Sequence, residues 1–102
     1  MHFLLFYDVV PDYATKRMPY RSSHLAYAHQ AVDRGELLLG GALANPIDAS
    51  ILLFRAPSAA VVEEFARSDP YVRSGVVTKW RVREWTTVVG KDAANPLPRA
   101  GA

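Results

Sequence analysis

The chain has no cysteine and only three histidines among its 102 residues, which narrows the polar chemistry open to it. Without cysteine it has no disulfide scaffold, no thiol nucleophile and no thiolate ligands for zinc. His24 and His29 are five positions apart, so on a helix they point in different directions and do not pair as metal ligands. Gly40-Gly41 lacks the spacing of a phosphate-binding loop and does not open a helix. The sequence therefore predicts neither a metal site nor a cofactor site.

Two kinds of longer segment are also missing. No run of lysine or arginine suggests a nucleic-acid-binding arm, although the formal net charge is +2. The apolar residues 3–7 are too few to cross a membrane, and the residues before them do not form the basic start of a signal peptide. We therefore expect a cytoplasmic protein that binds neither nucleic acid nor membranes.

What the chain does contain is an alternation of strand and helix signals. Strands are predicted where aromatic, leucine and β-branched residues cluster between turn residues, over residues 2–10, 36–44, 49–55 and 76–89. One helix is predicted over residues 19–34 and a second between Ser58 and Pro70. The order βαββαβ predicts an α+β, ferredoxin-like fold, in which two helices cover one face of a four-stranded antiparallel sheet.

The first helix is expected to bury a stripe made by Leu25, Ala28 and Val32, which recur at helical spacing. After the last strand the composition changes to alanine, proline and glycine. Residues 1–90 are therefore predicted to form one domain and residues 91–102 a loose tail.

The predicted strands are apolar on both faces. In the first strand Phe3, Leu5 and Tyr7 point to one side and Leu4 and Phe6 to the other, and the third strand is built in the same way. A sheet with one face in water alternates apolar and polar residues, so an apolar cover is expected over the second face. The simplest cover is the same face of a second copy, which gives a homodimer. Lining a ligand cavity is the alternative use of these residues.

RNA-recognition domains share this order of elements. Their third strand begins with a basic residue, a glycine and an aromatic residue, and the third strand here does not. We therefore do not expect RNA binding.

His24 and Asp69 are the candidates for catalysis. An imidazole titrates near neutral pH, which suits a general base or a proton relay, although many helical histidines only pack against their neighbours. Asp69-Pro70 has the pattern of a helix N-cap, so the carboxylate can simply accept a backbone amide. A carboxylate has two oxygens, and one can cap while the other holds the imidazole N–H and fixes its tautomer. Spacing does not decide between these interpretations.

Three further side chains are predicted to bind a ligand. Tyr7 and Tyr71 can donate phenolic hydrogen bonds to an anionic or quinone-like molecule, and Arg21 can bind a carboxylate. The structural alternatives are two core tyrosines, each with one solvated edge, and a solvated helix arginine.

Four segments of the chain resemble the YCII-related domain, and together they span nearly all of residues 1–90. They are Phe3–Tyr7, Arg21–Leu25, Gly35–Leu43 and Phe65–Val76. The resemblance implies the dimeric α/β barrel superfamily, in which ferredoxin-like protomers pack their sheets face to face. It also implies an active site made of a histidine and an aspartate that face a pocket, and the matching motifs put these at His24 and Asp69.

The superfamily includes muconolactone isomerases, cofactor-free monooxygenases and a chlorinated-hydroquinone dehydrochlorinase, but a shared fold does not transfer chemistry. We expect an enzyme that acts on a small aromatic or enolisable molecule by lyase, isomerase or dehalogenase chemistry. His24 would remove or relay a proton, and Asp69 would orient it. The alternative is a non-catalytic, metabolite-binding or stress-associated dimer, in which Asp69 is only a helix cap.

Overall fold

The computed structural model describes residues 1–99, and these form four strands and two long helices in the predicted order. The strands are β1 (His2–Val9), β2 (Leu37–Ala42), β3 (Ala49–Arg55) and β4 (Val77–Trp85). The long helices are α2 (Met18–Asp33) and α3 (Ala59–Ser68), and each adjoins a single-turn helix, α1 (Tyr13–Lys16) or α4 (Pro70–Arg73). The predicted α+β, ferredoxin-like fold is confirmed.

The sheet is antiparallel throughout, with the strand order β2-β3-β1-β4. In the two central strands, Phe3 of β1 pairs with Phe54 of β3, and Leu5 pairs with Leu52. Paired residues point to the same side of a sheet, so these four side chains lie together under the helices. We call this side the covered face.

The core fills the space between the covered face and the helices. Its buried side chains come from every layer and include Phe3, Leu5, Tyr7, Ala31, Leu52, Phe54, Val62, Phe65 and Ala66. The α3 helix contributes more buried residues than any other helix, at positions 62, 65 and 66, which is the spacing of one helical face.

The α2 helix packs less closely than the sequence predicts. Ala31 is its one buried residue, and Leu25 and Val32 are 42% and 44% exposed. The prediction that both are core residues is therefore wrong. They are exposed because α2 leaves a gap above β2, and both side chains line the resulting cavity.

The opposite side of the sheet is here called the open face. Its centre consists of Leu4, Phe6, Ile51 and Leu53, which are half-buried. The edge strand β4 adds basic side chains, and the guanidinium of Arg81 lies 4.3 Å from the centre of the Phe6 ring. This face therefore has an apolar centre with a basic edge.

After β4 the chain runs to residue 99 without another helix or strand. It folds back on itself, since the Asn95 amide donates to the Thr87 carbonyl and the Leu97 amide to the Val88 carbonyl. Of the predicted tail 91–102, the last three residues lie outside the described residues. Over residues 1–99, no helix is both long enough and apolar enough to cross a membrane.

Candidate active site

Asp69 lies at the junction of α3 and α4 and is completely buried. Pro70 keeps the preceding residue out of the helical region, and Asp69 has an extended backbone with φ −65° and ψ 127°. This conformation makes Asp69 the N-cap of α4, and its Oδ1 accepts the backbone amide of Tyr71 at 2.9 Å. The helix cap expected from the Asp-Pro pair is present.

The same carboxylate contacts two more side chains. Its Oδ1 lies 2.8 Å from Nδ1 of His24, and its Oδ2 accepts the Tyr7 hydroxyl at 2.7 Å. The sequence suggested one oxygen for the cap and the other for the imidazole, but Oδ1 serves both because each oxygen has two lone pairs. Oδ2 is thereby left for Tyr7. Three donors around one buried carboxylate offset much of the cost of removing it from water.

His24 is held in one orientation by two contacts. Besides the Asp69 contact, its ring stacks on Tyr71, with centroids 3.7 Å apart and planes 7° apart. A carboxylate only accepts hydrogen bonds, so the hydrogen between the two residues belongs to Nδ1. In the neutral imidazole the lone pair is then on Nε2, the nitrogen suited to act as a base. The His24 side chain is 13% exposed and lines the cavity.

The cavity lies between α2 and the strands β2 and β3 and has a volume of about 300 Å³. Its sheet side is largely apolar, with Leu37, Leu39 and Leu52 among the lining residues. Gly40 adds space, because a Cβ at this position would sit 3.4 Å from Cγ of Leu52. The volume is at the lower end for small-molecule sites, and roughly half of it is enough for benzene. The cavity therefore suits a molecule with one substituted ring.

The end of the cavity near the start of α2 is basic. Arg17 and Arg21 both line it, one helical turn apart. The guanidinium carbon of Arg17 is 5.0 Å from the centre of the Tyr13 ring. Its Nε is buried and has no hydrogen-bond partner among residues 1–99.

Arg17 and Tyr13 were not among the residues predicted from the sequence, because residues 11–18, between the first predicted strand and the first predicted helix, were interpreted as a connection with at most a helical turn. The only available signal was the spacing of Arg17, Arg21 and His24 at i, i+4 and i+7, which puts all three on one helix face.

The two predicted ligand-binding tyrosines have different surroundings. The Tyr7 hydroxyl is engaged by Asp69, and burial together with that carboxylate raises the pKa of Tyr7 far above its ordinary value. Tyr7 therefore stays protonated as a donor to Asp69. Burial also raises the pKa of Tyr71, while Arg17 and Arg21 act in the opposite direction.

The structure thus brings together all five residues singled out from the sequence. Asp69 lies behind His24, and the other four line the cavity, namely His24, Tyr7, Arg21 and Tyr71. Their roles in catalysis and binding stay predictions. Among residues 1–99, no group of three or more His, Asp or Glu side chains has a metal-binding arrangement.

The sequence model of the YCII-related domain family matches residues 1–86 of this chain. The chain belongs to the YCII-related domain family. The resemblance drawn from four sequence segments is therefore confirmed. No curated protein sequence matches this YCII-related chain.

The fold is similar to that of a solved structure, 5-chloro-2-hydroxyhydroquinone dehydrochlorinase from Burkholderia phenoliruptrix AC1100 in complex with 2,5-dihydroxybenzoquinone. The TM-score is 0.72 and the sequence identity is 23%, over 85% of this YCII-related chain and 95% of the other. At this identity the likeness supports the fold and not the chemistry.

Proposed function

We propose that this YCII-related protein is an enzyme that transfers a proton on a small organic molecule. His24 is the acid–base group, and Asp69 is the residue that orients it. The observation that carries the proposal is the 2.8 Å contact between Nδ1 of His24 and the fully buried Asp69, which leaves Nε2 for a ligand. Proton transfer by a positioned imidazole contributes about 10²–10⁴-fold to a rate.

The surroundings of Asp69 support more than a capping role. A cap needs one accepted hydrogen bond, whereas this carboxylate also contacts His24 of α2 and accepts from Tyr7 of β1. Burying a charged group costs free energy, and a solvated cap would avoid that cost. The arrangement fits a carboxylate that fixes the tautomer of an imidazole at the wall of a cavity.

Lyase, isomerase and dehalogenase reactions fit such a site. Nε2 takes a proton from an O–H or an activated C–H bond, and the electron pair of that bond moves into the conjugated system of the ligand. In an elimination, a leaving group such as chloride departs with its bonding pair. In an isomerisation, the proton returns to a different carbon. The dehydrochlorinase of similar fold gives a reason to begin with hydroxylated, chlorinated rings.

We also propose that the protein is a homodimer joined through the open faces of two sheets. The apolar centre formed by Leu4, Phe6, Ile51 and Leu53 supports this, since these side chains are only half-buried in the single chain. A two-fold axis would set this patch against itself, as in the dimeric barrel expected for the family. A domain of this size also gains stability from such burial.

The test of the catalytic proposal compares the wild type with His24→Gln. One assay measures chloride release from 5-chloro-2-hydroxyhydroquinone, and a second uses ¹H NMR to follow solvent deuterium entering the ring of 2-hydroxyhydroquinone. We expect His24→Gln to lower the faster of these rates at least about 10²-fold, because the positioned base is lost. His2→Gln is the control, since it removes an imidazole at the far end of β1.

Equal rates for the wild type and His24→Gln would remove His24 from the mechanism. Saturable binding of these compounds without chloride release or deuterium entry would contradict the proposal that the protein is an enzyme. That result would favour the metabolite-binding alternative.

A further inference from the structure

We infer that the cavity takes an organic anion, and that Arg17 and Arg21 form the subsite for its acidic group. The inference deepens the proposed function and rests on it in one respect, the placement of the reacting atom beside His24. Binding of the anion itself does not depend on catalysis.

The wall that α2 contributes to the cavity changes from basic to apolar along the helix. Arg17 and Arg21 line it at the start of α2, and Leu25 and Val32 line it further along. His24 lies between the two halves, at a spacing that keeps it on the same helix face. A ligand that satisfies both halves has an acidic group at one end and an apolar body at the other.

The charge of the two guanidiniums is not neutralised inside the cavity. The cavity lining contains no aspartate or glutamate. Within residues 1–99, neither Arg17 nor Arg21 forms an ion pair with an acidic side chain. The carboxylate of Asp69 is buried behind His24 and already has three hydrogen-bonding partners. An anion entering the cavity would meet two positive charges and no acidic side chain in the lining.

Both arginines also line the same cavity as the imidazole. The positive charges of Arg17 and Arg21 lower the pKa of the Tyr71 hydroxyl, whereas burial raises it. The ring of Tyr71 stacks on His24. Arg17 rests on the Tyr13 ring and keeps a buried Nε without a hydrogen-bond partner among the described residues. A guanidinium presents paired donors that match the two oxygens of a carboxylate. An acidic group at this end of the cavity can therefore pair with guanidinium groups that form no ion pair within residues 1–99.

The size of the cavity limits the rest of the ligand. About 300 Å³ holds one substituted ring, and the apolar walls at Leu25, Val32 and Leu39 favour a flat, apolar body. The ligand class is thus a single-ring carboxylate or a similar anion, with its reacting atom beside His24.

The experiment compares two probes of nearly the same shape that differ in charge, 2,5-dihydroxybenzoate and 2,5-dihydroxybenzamide. Isothermal titration calorimetry measures their Kd values for the wild type, Arg17→Gln, Arg21→Gln and Arg34→Gln. We expect the acid to bind at least about 10-fold more tightly than the amide, because hydrogen bonds between charged groups are the stronger kind. Each of Arg17→Gln and Arg21→Gln should weaken the acid about 10-fold and leave the amide nearly unchanged.

Arg34→Gln is the matched control. It removes the same charge just after the far end of α2, where Arg34 pairs with Glu36 and does not line the cavity. It should leave both Kd values unchanged. Equal Kd values for acid and amide, equal weakening by all three variants, or no saturable binding of the acid at millimolar concentration would each overturn the inference.

A fourth variant separates this inference from the proposed function. His24→Gln should abolish proton transfer and keep the preference for the acid over the amide. If the wild type prefers the acid over the amide but shows no proton transfer, the anion subsite stands and the enzyme proposal fails. If the wild type transfers the proton but binds acid and amide equally, the enzyme proposal stands and the anion subsite fails.

Discussion

Neighbouring residues of β1 have opposite surroundings. Leu5 and Tyr7 are fully buried beneath the helices, whereas Leu4 and Phe6 are half-buried on the open face. On the covered face a carboxylate is buried as well, because β1, α2 and α4 each bring a hydrogen-bonding group to Asp69. Within residues 1–99 no such group of hydrogen bonds is found at the centre of the open face, and Arg81 lies on its edge strand β4. The covered face thus holds the polar groups of the candidate site, whereas the open face has the apolar centre of the proposed association surface.

The largest effect is expected on the covered face. Asp69→Ala leaves the Tyr7 hydroxyl, the Tyr71 amide and Nδ1 of His24 without their acceptor, so the free energy of unfolding should fall by about 3–5 kcal/mol. Urea denaturation followed by circular dichroism measures this loss. Tyr7→Phe removes one of the three groups and should cost only about 1–2 kcal/mol. An unchanged unfolding midpoint in Asp69→Ala would show that the network does not stabilise the fold.

The next effect concerns the open face. Leu53→Glu puts a charge at the centre of the proposed interface, so the dimer should weaken by about 2–3 kcal/mol, roughly 100-fold in Kd. Analytical ultracentrifugation measures the association. Ala60→Glu is the control, because it adds the same charge at an exposed position of α3 and should leave the dimer intact. A wild type that is monomeric at every concentration would contradict the interface itself.

Two adjacent glycines of β2 allow the faces to be compared directly. Gly40 pairs with Leu52 of the covered face and Gly41 with Ile51 of the open face, and both glycines border the cavity. Gly40→Val should fill cavity space and weaken the binding of 2,5-dihydroxybenzoate about 10-fold, or about 1.4 kcal/mol. Gly41→Val should weaken that binding less, since Gly41 pairs with the open-face residue Ile51 and a Cβ there meets nothing within 4 Å. Equal losses in the two variants, measured by calorimetry, would contradict the assigned faces.

The smallest expected effect is a pH dependence at His2. Burial is the main cause that lowers the pKa of His2 from the ordinary 6.5, and the charges of Arg55 and the N-terminus add to it. Once the pH falls to about 6.5, the unfolded chain therefore binds more protons at His2 than the folded protein does, so the stability of the fold decreases as the pH falls further. Between about pH 7.5 and about pH 5.5, the wild type should lose thermal stability more steeply than His2→Gln. Parallel pH profiles of Tm would contradict this.

The sequence was sufficient for the order of elements and for the cap at Asp69, because Asp-Pro and the strand patterns are local signals. The contact between His24 and Asp69 was beyond it, since the two residues are 45 positions apart and meet only where α2 packs on α4. Leu25 and Val32 show a second limit. An apolar stripe predicts contact with an apolar surface, and only the gap between α2 and β2 makes that surface a cavity wall.

The central claim is that Asp69 holds the His24 imidazole as the Nδ1–H tautomer, with the lone pair on Nε2 available to a ligand. Two-dimensional ¹H–¹⁵N NMR of the imidazole nitrogens in the wild type, above the pH at which the ring is protonated, tests it most directly. We predict a pyrrole-type shift for Nδ1 and a pyridine-type shift for Nε2, and a change at Nε2 when 2,5-dihydroxybenzoate is added. A pyridine-type Nδ1, or the tautomer mixture of a free imidazole, would contradict the claim.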